Sequence, residues 1–173
     1  MNTINKLIVL YGEPNAGKTT TLKKAFKMLT GYDIPSTISD IRVIFKVGDA
    51  TVFMATYGDM PHIIDTNFNF FHSATRSNAV IYEFDGEELV EIDKERLQQS
   101  EPDICITACR IYKDGTNNDI YNHLCECILG DMPIAGGVKW IAKQVAVGKR
   151  TQQRAVNTDR LTALEIVTEI MNK

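Results

Sequence analysis

Residues 6–29 read KLIVLYGEPNAGKTTTLKKAFKML, and the reading of this stretch decides the fold. Leu7, Ile8, Val9 and Leu10 form an unbroken apolar run, the pattern of a central parallel strand buried on both faces. Gly12, Gly17, Lys18 and Thr19 then satisfy G-x-x-x-x-G-K-[ST], a glycine-bounded loop that belongs between a strand and a helix. Leu22, Ala25, Phe26 and Leu29 recur at i, i+3, i+4 and i+7, which predicts a helix with one core-facing stripe. Gly31 supplies its stop.

These residue types suit a densely charged anion. Backbone N–H groups at a helix N-terminus, together with the helix dipole, receive phosphate oxygens. Gly12 and Gly17 let the backbone curl closely, Lys18 reaches the β- and γ-phosphates, and the Thr19 hydroxyl joins a Mg²⁺ shell. Pro14 and Asn15 stiffen the tip, and Glu13 and Thr20 flank it. The candidate nucleotide-binding set is therefore Gly12, Glu13, Pro14, Asn15, Ala16, Gly17, Lys18, Thr19 and Thr20. The competing reading is an ordinary glycine-rich turn from strand to helix.

Through GEPNAGKT at positions 12–19 the sequence resembles the P-loop NTPase superfamily. The resemblance is specific for this segment and thinner elsewhere. It implies a parallel α/β sheet and a Mg-bound nucleoside triphosphate, and it names no substrate.

A chain of 173 residues with 44% hydrophobic content suits one well-buried domain, expected to span residues 1–173. Its net charge of −3 does not call for nucleic acid or an anionic membrane. The N-terminal run is too short for a signal peptide, and no run approaches the ~18 apolar residues of a membrane span. A cytoplasmic location is expected. Cys105, Cys109, Cys125 and Cys127 lack a standard zinc spacing and read as buried reduced thiols.

Beyond a polar connection, GYDIPSTISD, residues 41–46 and 51–57 predict a β-hairpin turning at Gly48-Asp49. A hairpin here resembles the small-GTPase branch, but the guanine-reading N-K-x-D motif is missing, so ATP is the expected nucleotide. TVFMATYGD ends in Asp59, in the position of a strand-end carboxylate that holds Mg²⁺ opposite Thr19. An acid after a strand is also common turn chemistry. Residues 60–78 are long for a connection and read either as a lid or as a surface loop anchored by aromatics. His62, His72 and His123 are scattered and read as loop or surface residues.

AVIYEF and EELVEI flank Asp85-Gly86, a second hairpin signal whose competitor is a helix over 87–99. DICITACR is another buried strand ending in Arg110, a candidate second cation for the γ-phosphate; the alternative for Arg110 is an ion pair with the acidic segment 83–103. A helix is predicted to end near Leu129. A strand VKWIA follows, then a helix capped at Asn157 or Thr158 and carrying Leu161, Leu164, Ile166, Val167 and Ile170. The basic residues from Lys139 to Arg160 read first as a solvated face.

This order predicts a three-layer α/β/α sandwich of the P-loop NTPase type, mostly parallel with an antiparallel hairpin strand and a lid-like insertion around 60–100. The expected function is Mg-dependent ATP binding with hydrolysis or γ-phosphoryl transfer to an unidentified acceptor. Lys18, Asp59 and Arg110 are the candidate catalytic groups, and Thr19 and Asp59 the candidate metal ligands. The alternative is a nucleotide-dependent switch read by a protein partner, with little turnover of its own.

Overall fold

In a computed structural model the described residues are 4–58, 80–111, 122–123, 135–143 and 152–172. The apolar run of the first strand, β1 (Lys6–Gly12), sits at the heart of a seven-stranded sheet. Leu7, Ile8, Val9 and Leu10 are all fully buried, because β1 has a parallel neighbour on each side, β6 (Ile104–Arg110) and β7 (Val138–Ala142). The remaining strands are β2 (Arg42–Val47), β3 (Ala50–Ala55), β4 (Ile81–Phe84) and β5 (Leu89–Ile92), and the order across the sheet is β5-β4-β2-β3-β6-β1-β7. Pairings β1–β6, β1–β7, β3–β6 and β2–β4 are parallel, whereas β2–β3 and β4–β5 are antiparallel. The sheet is mostly parallel, but two strands, β2 and β4, run against the rest rather than the expected one.

Both predicted hairpins form, with Gly48 (φ +58°) and Gly86 (φ +106°) taking the left-handed turn positions. The second hairpin displaces the competing helix over 87–99, of which only a short helix α2 (Lys94–Gln99) remains, capped by Asp93 accepting from the Arg96 N–H. Residues 81–92 of the expected lid-like insertion are therefore an edge hairpin of the sheet. Residues 60–78 lie outside the described residues.

Helices α1 (Lys18–Thr30) and α3 (Gln152–Met171) pack side by side on one face. Leu22, Ala25 and Phe26 of α1 and Ala163, Ile166 and Ile170 of α3 join Ile8, Leu10, Val43, Phe45, Val52, Met54 and Ile106 in one core. Phe26 meets Phe45 edge to face at 4.9 Å, and truncating so buried a ring typically costs about 3–5 kcal/mol. The opposite face carries Leu7, Val9, Ile44, Phe53, Cys105 and Cys109, covered among the described residues by Leu97 of α2 and flanked by Tyr11 and Trp140. The predicted helix ending near Leu129 lies almost wholly outside the described residues.

The last helix corrects the sequence reading. It begins at Gln152, so Asn157 and Thr158 are interior, and the Thr158 hydroxyl donates back to the Ala155 carbonyl. Of the apolar residues named for this helix, Leu161 and Leu164 are 58% and 44% exposed. Asp159, Thr162, Ala163, Ile166 and Ile170 make the buried stripe instead, because two polar residues belong to it and disguise its period. Lys6 ties the far end of this helix to β1: its Nζ donates to the Glu169 and Asn172 carbonyls at 3.0 and 2.9 Å and to Glu169 Oε1 at 3.0 Å, a cation at a helix C-terminus.

Candidate functional site

The turn from β1 into α1 forms one wall of a cleft of about 360 Å³ lined by Asn15, Ala16, Gly17, Lys18, Thr19, Thr20 and Thr56. The Ala16 N–H donates to the Glu13 carbonyl, closing the turn, and Asn15 (φ +57°) and Gly17 (φ +91°) take left-handed conformations. Gly17 is the N-cap of α1, no side chain caps that end, and the first turn contains no acid. A helix N-terminus with no side-chain cap and no acid in its first turn is of the kind that can receive an anion.

Lys18 is 7% exposed, and its Nζ donates to the carbonyls of Gly12 at 3.0 Å and Glu13 at 2.8 Å. The side chain folds back along the loop and adds a charged donor to carbonyls that already accept from the Ile111 and Ala16 N–H groups. Lys18 therefore holds the loop's own backbone.

Thr19 meets a carboxylate that the sequence reading missed. Its hydroxyl lies 3.0 Å from Asp40 Oδ1 and 3.2 Å from the Thr56 carbonyl oxygen, and the Thr56 hydroxyl also donates to Asp40 Oδ1 at 3.2 Å. The Ile41 N–H donates to Thr56 Oγ1, and the Thr56 N–H to the Ile41 carbonyl, both at 2.9 Å, locking the start of β2 to the end of β3. The signal was present in the predicted hairpin. An antiparallel β2 must begin at the edge where β3 ends, so the last residues of GYDIPSTISD arrive beside the phosphate loop. Around Asp40 lie two cations with depressed pKa values: burial lowers that of Lys23, against the pull of Asp40, and burial lowers that of Arg42, against Tyr57 and Asp40. Arg42 lies over the Tyr57 ring, 4.1 Å from its centroid, and donates to its hydroxyl, while burial raises the phenol's pKa.

Beneath the loop sits a buried ion pair, where the sequence suggested a solvated basic face. Lys143 Nζ, just past β7, is 2.9 Å from Asp159 Oδ1 of α3, with the side chains 1% and 12% exposed. The Thr21 hydroxyl also donates to Asp159 Oδ1 at 3.4 Å, and the Lys143 N–H to the Tyr11 carbonyl at 2.7 Å. This pair accounts for both glycines of the motif. A Cβ at Gly12 would lie 3.0 Å from Lys143 Cβ, and one at Gly17 would lie 2.9 Å from Asp159 Oδ1. The loop is glycine-bounded here because β7 and α3 press against it from below.

Arg110 ends β6 directly opposite Gly12 in the register, and the next N–H, that of Ile111, donates to the Gly12 carbonyl at 3.0 Å. Its strand thus brings it to the loop. Four carboxylates of the segment 83–103 have other partners: Glu83 pairs with Arg96 at 2.8 Å, Asp85 and Asp93 accept turn and cap amides, and Asp103 accepts from the Thr51 N–H at the other end of β6. Asp59 lies outside the described residues.

The chain matches no protein-family model, no curated protein and no solved structure. The site's own geometry must carry the functional reading. Cys105 and Cys109 are buried thiols, and burial pushes the Cys105 pKa far up, which leaves that sulfur unreactive. Cys125, Cys127, His62 and His72 lie outside the described residues. No described helix is long and apolar enough to cross a membrane.

Proposed function

We propose that this chain is a P-loop NTPase that binds Mg-ATP in the cleft above α1 and hydrolyses it or transfers its γ-phosphoryl group. The observation that carries the reading is the G-x-x-x-x-G-K-T loop lying between the end of a central parallel strand and an uncapped helix N-terminus. A three-layer sandwich, completed by the helix ending near Leu129, and a cytoplasmic location belong to the same proposal.

The residues present fit the nucleotide and its cation. Residues 15–20 line the cleft, Thr19 offers a hydroxyl to a hard cation that prefers oxygen, and Asp59 is the strand-end carboxylate proposed to join it. Bound magnesium would neutralise charge on the β- and γ-phosphates. Lys18 would exchange two carbonyl acceptors for phosphate oxygens, trading neutral acceptors for charged ones, which form the stronger bonds. Arg110 is the second cation, acting on charge as it shifts outward in the transition state.

Asp59→Asn is expected to reduce Mg-dependent activity far more than binding of Mg-free nucleotide. Equal losses with and without Mg²⁺ would return Asp59 to a turn role. Arg110→Ala is expected to lower kcat about 100-fold, close to 3 kcal/mol, with little change in KM for ATP. A lowered Tm with kcat intact would instead make Arg110 a structural ion-pair partner.

A second reading, a nucleotide-dependent switch, draws support from Asp40, through which the α1–β2 connection touches the Thr19 hydroxyl. Such a connection would rearrange with the occupant and offer a partner a changed surface. Phosphate release from Mg-ATP by the purified protein decides between them. Rapid turnover supports the enzyme, tight binding with negligible turnover supports the switch, and no binding at all refutes both.

A further inference from the structure

We infer that Asp40 is the carboxylate that completes the cation site with Thr19, and that through it the α1–β2 connection reports whether the metal is present. The inference rests on the nucleotide-binding reading above and goes beyond it by assigning a residue outside the phosphate loop and outside the expected acidic strand end.

A threonine hydroxyl has one proton and two lone pairs. The Thr19 proton is directed to Asp40 Oδ1 at 3.0 Å or to the Thr56 carbonyl at 3.2 Å. Both acceptors lie at the β2–β3 edge, which leaves the lone pairs for the cleft. A hydroxyl can therefore ligate a cation without giving up its bond to Asp40. The carboxylate orients the ligand and increases its electron density, as an outer partner does for a metal-binding imidazole. Asp40 also receives the Thr56 hydroxyl on the same Oδ1, so its second oxygen, Oδ2, is the one to accept from a metal-bound water. The carboxylate's position is not accidental: Thr56 is tied twice to Ile41, the residue after Asp40.

Lys23 and Arg42 act on Asp40 electrostatically, and the hydroxyls of Thr19 and Thr56 bond it. A cation arriving at Thr19 with a triphosphate adds an attraction to this carboxylate that an unaccompanied nucleotide lacks. Nucleotide without metal instead brings phosphate charge toward the Asp40 carboxylate. Asp40 should therefore penalise metal-free ATP and favour Mg-ATP.

The test is calorimetric titration of the full chain with ATP, once with Mg²⁺ and once with EDTA, on wild type, Asp40→Asn and Asp40→Ala, with Mn²⁺ bound in the presence of ATP followed by electron paramagnetic resonance. The expected result is that wild type binds Mg-ATP at least tenfold more tightly than metal-free ATP. Asp40→Asn should lose most of that ratio, bind metal-free ATP as well as wild type or better, and hold Mn²⁺ at least tenfold more weakly. A merely structural Asp40 would lower affinity equally with and without metal, and that result overturns the inference. So does a folded Asp40→Asn protein that keeps the wild-type ratio. Wild type that binds no ATP under either condition refutes the nucleotide reading itself, and the inference with it. Should Asp40→Ala fail to fold, the isosteric Asp40→Asn protein carries the decision, and Mn²⁺ affinity in Asp40→Glu, restored above that of Asp40→Asn, supports a role for the charge.

Discussion

Lys18→Ala is expected to weaken Mg-ATP binding at least about 100-fold, roughly 3 kcal/mol, while the protein remains folded. The ammonium donates to the loop carbonyls of Gly12 and Glu13, and each of these keeps a backbone donor, the Ile111 and Ala16 N–H, when the side chain is cut back. The cost to the fold is therefore small, whereas withdrawing a charged donor from the phosphates costs much affinity. The back-folded Lys18 adds a consequence that a solvent-facing lysine would not have. In the variant the loop between Gly12 and Gly17 loses an internal tie, so binding should show a more unfavourable entropy as the loop is ordered by the ligand. Calorimetry gives both quantities in one titration. Unchanged ATP affinity in a folded Lys18→Ala protein would overturn the nucleotide reading.

Asp159→Ala should be the most destabilising single change in the region of the site. Removing one partner of a buried ion pair leaves the other charge uncompensated and typically costs about 3–5 kcal/mol; for a chain of this size that is a fall in Tm of roughly 6–20 °C. Lys143 would keep its amine with the side chain 1% exposed, and the Thr21 hydroxyl would lose its acceptor. Adding Lys143→Met removes the buried amine and should recover a large part of the loss, since an apolar side chain of similar length fills the space under Gly12. Thermal unfolding of the two single variants and the double variant measures the coupling. Additive losses would show that the pair contributes nothing as a pair. Nucleotide affinity of the folded Asp159→Ala protein should fall as well, because Asp159 crowds Gly17 and so shapes the loop.

Much of the sheet was legible in the chain because short-range rules agree there with long-range packing. The run Leu7–Leu10 is apolar on both faces and could only be central; Gly48-Asp49 and Asp85-Gly86 supply turns whose left-handed glycines are local requirements; Gly31 stops α1 at φ +78°. The misreadings occur where a buried position is polar. Asp159 and Thr162 occupy the inner stripe of α3, and of the apolar residues that helix carries, Leu161 and Leu164 face solvent. Lys143 was assigned to a solvated basic face for the same reason.

By itself, then, the sequence determined the strand–loop–helix at residues 6–30, the two hairpins and the inner strands, since each rests on contacts within a few positions. Only the tertiary structure decided which groups surround that loop. The order β3-β6-β1-β7 inserts β6 between the hairpin and β1, bringing Arg110 opposite Gly12 and Lys143 beneath it. The antiparallel sense of β2 carries Asp40 back to Thr19 across 21 residues of chain. The packing of α3 on α1 puts Asp159 against Gly17 across more than a hundred. No periodicity or motif encodes such meetings, because they are fixed by which strands pair and which helix faces bury, and those are decided by the free energy of the whole core.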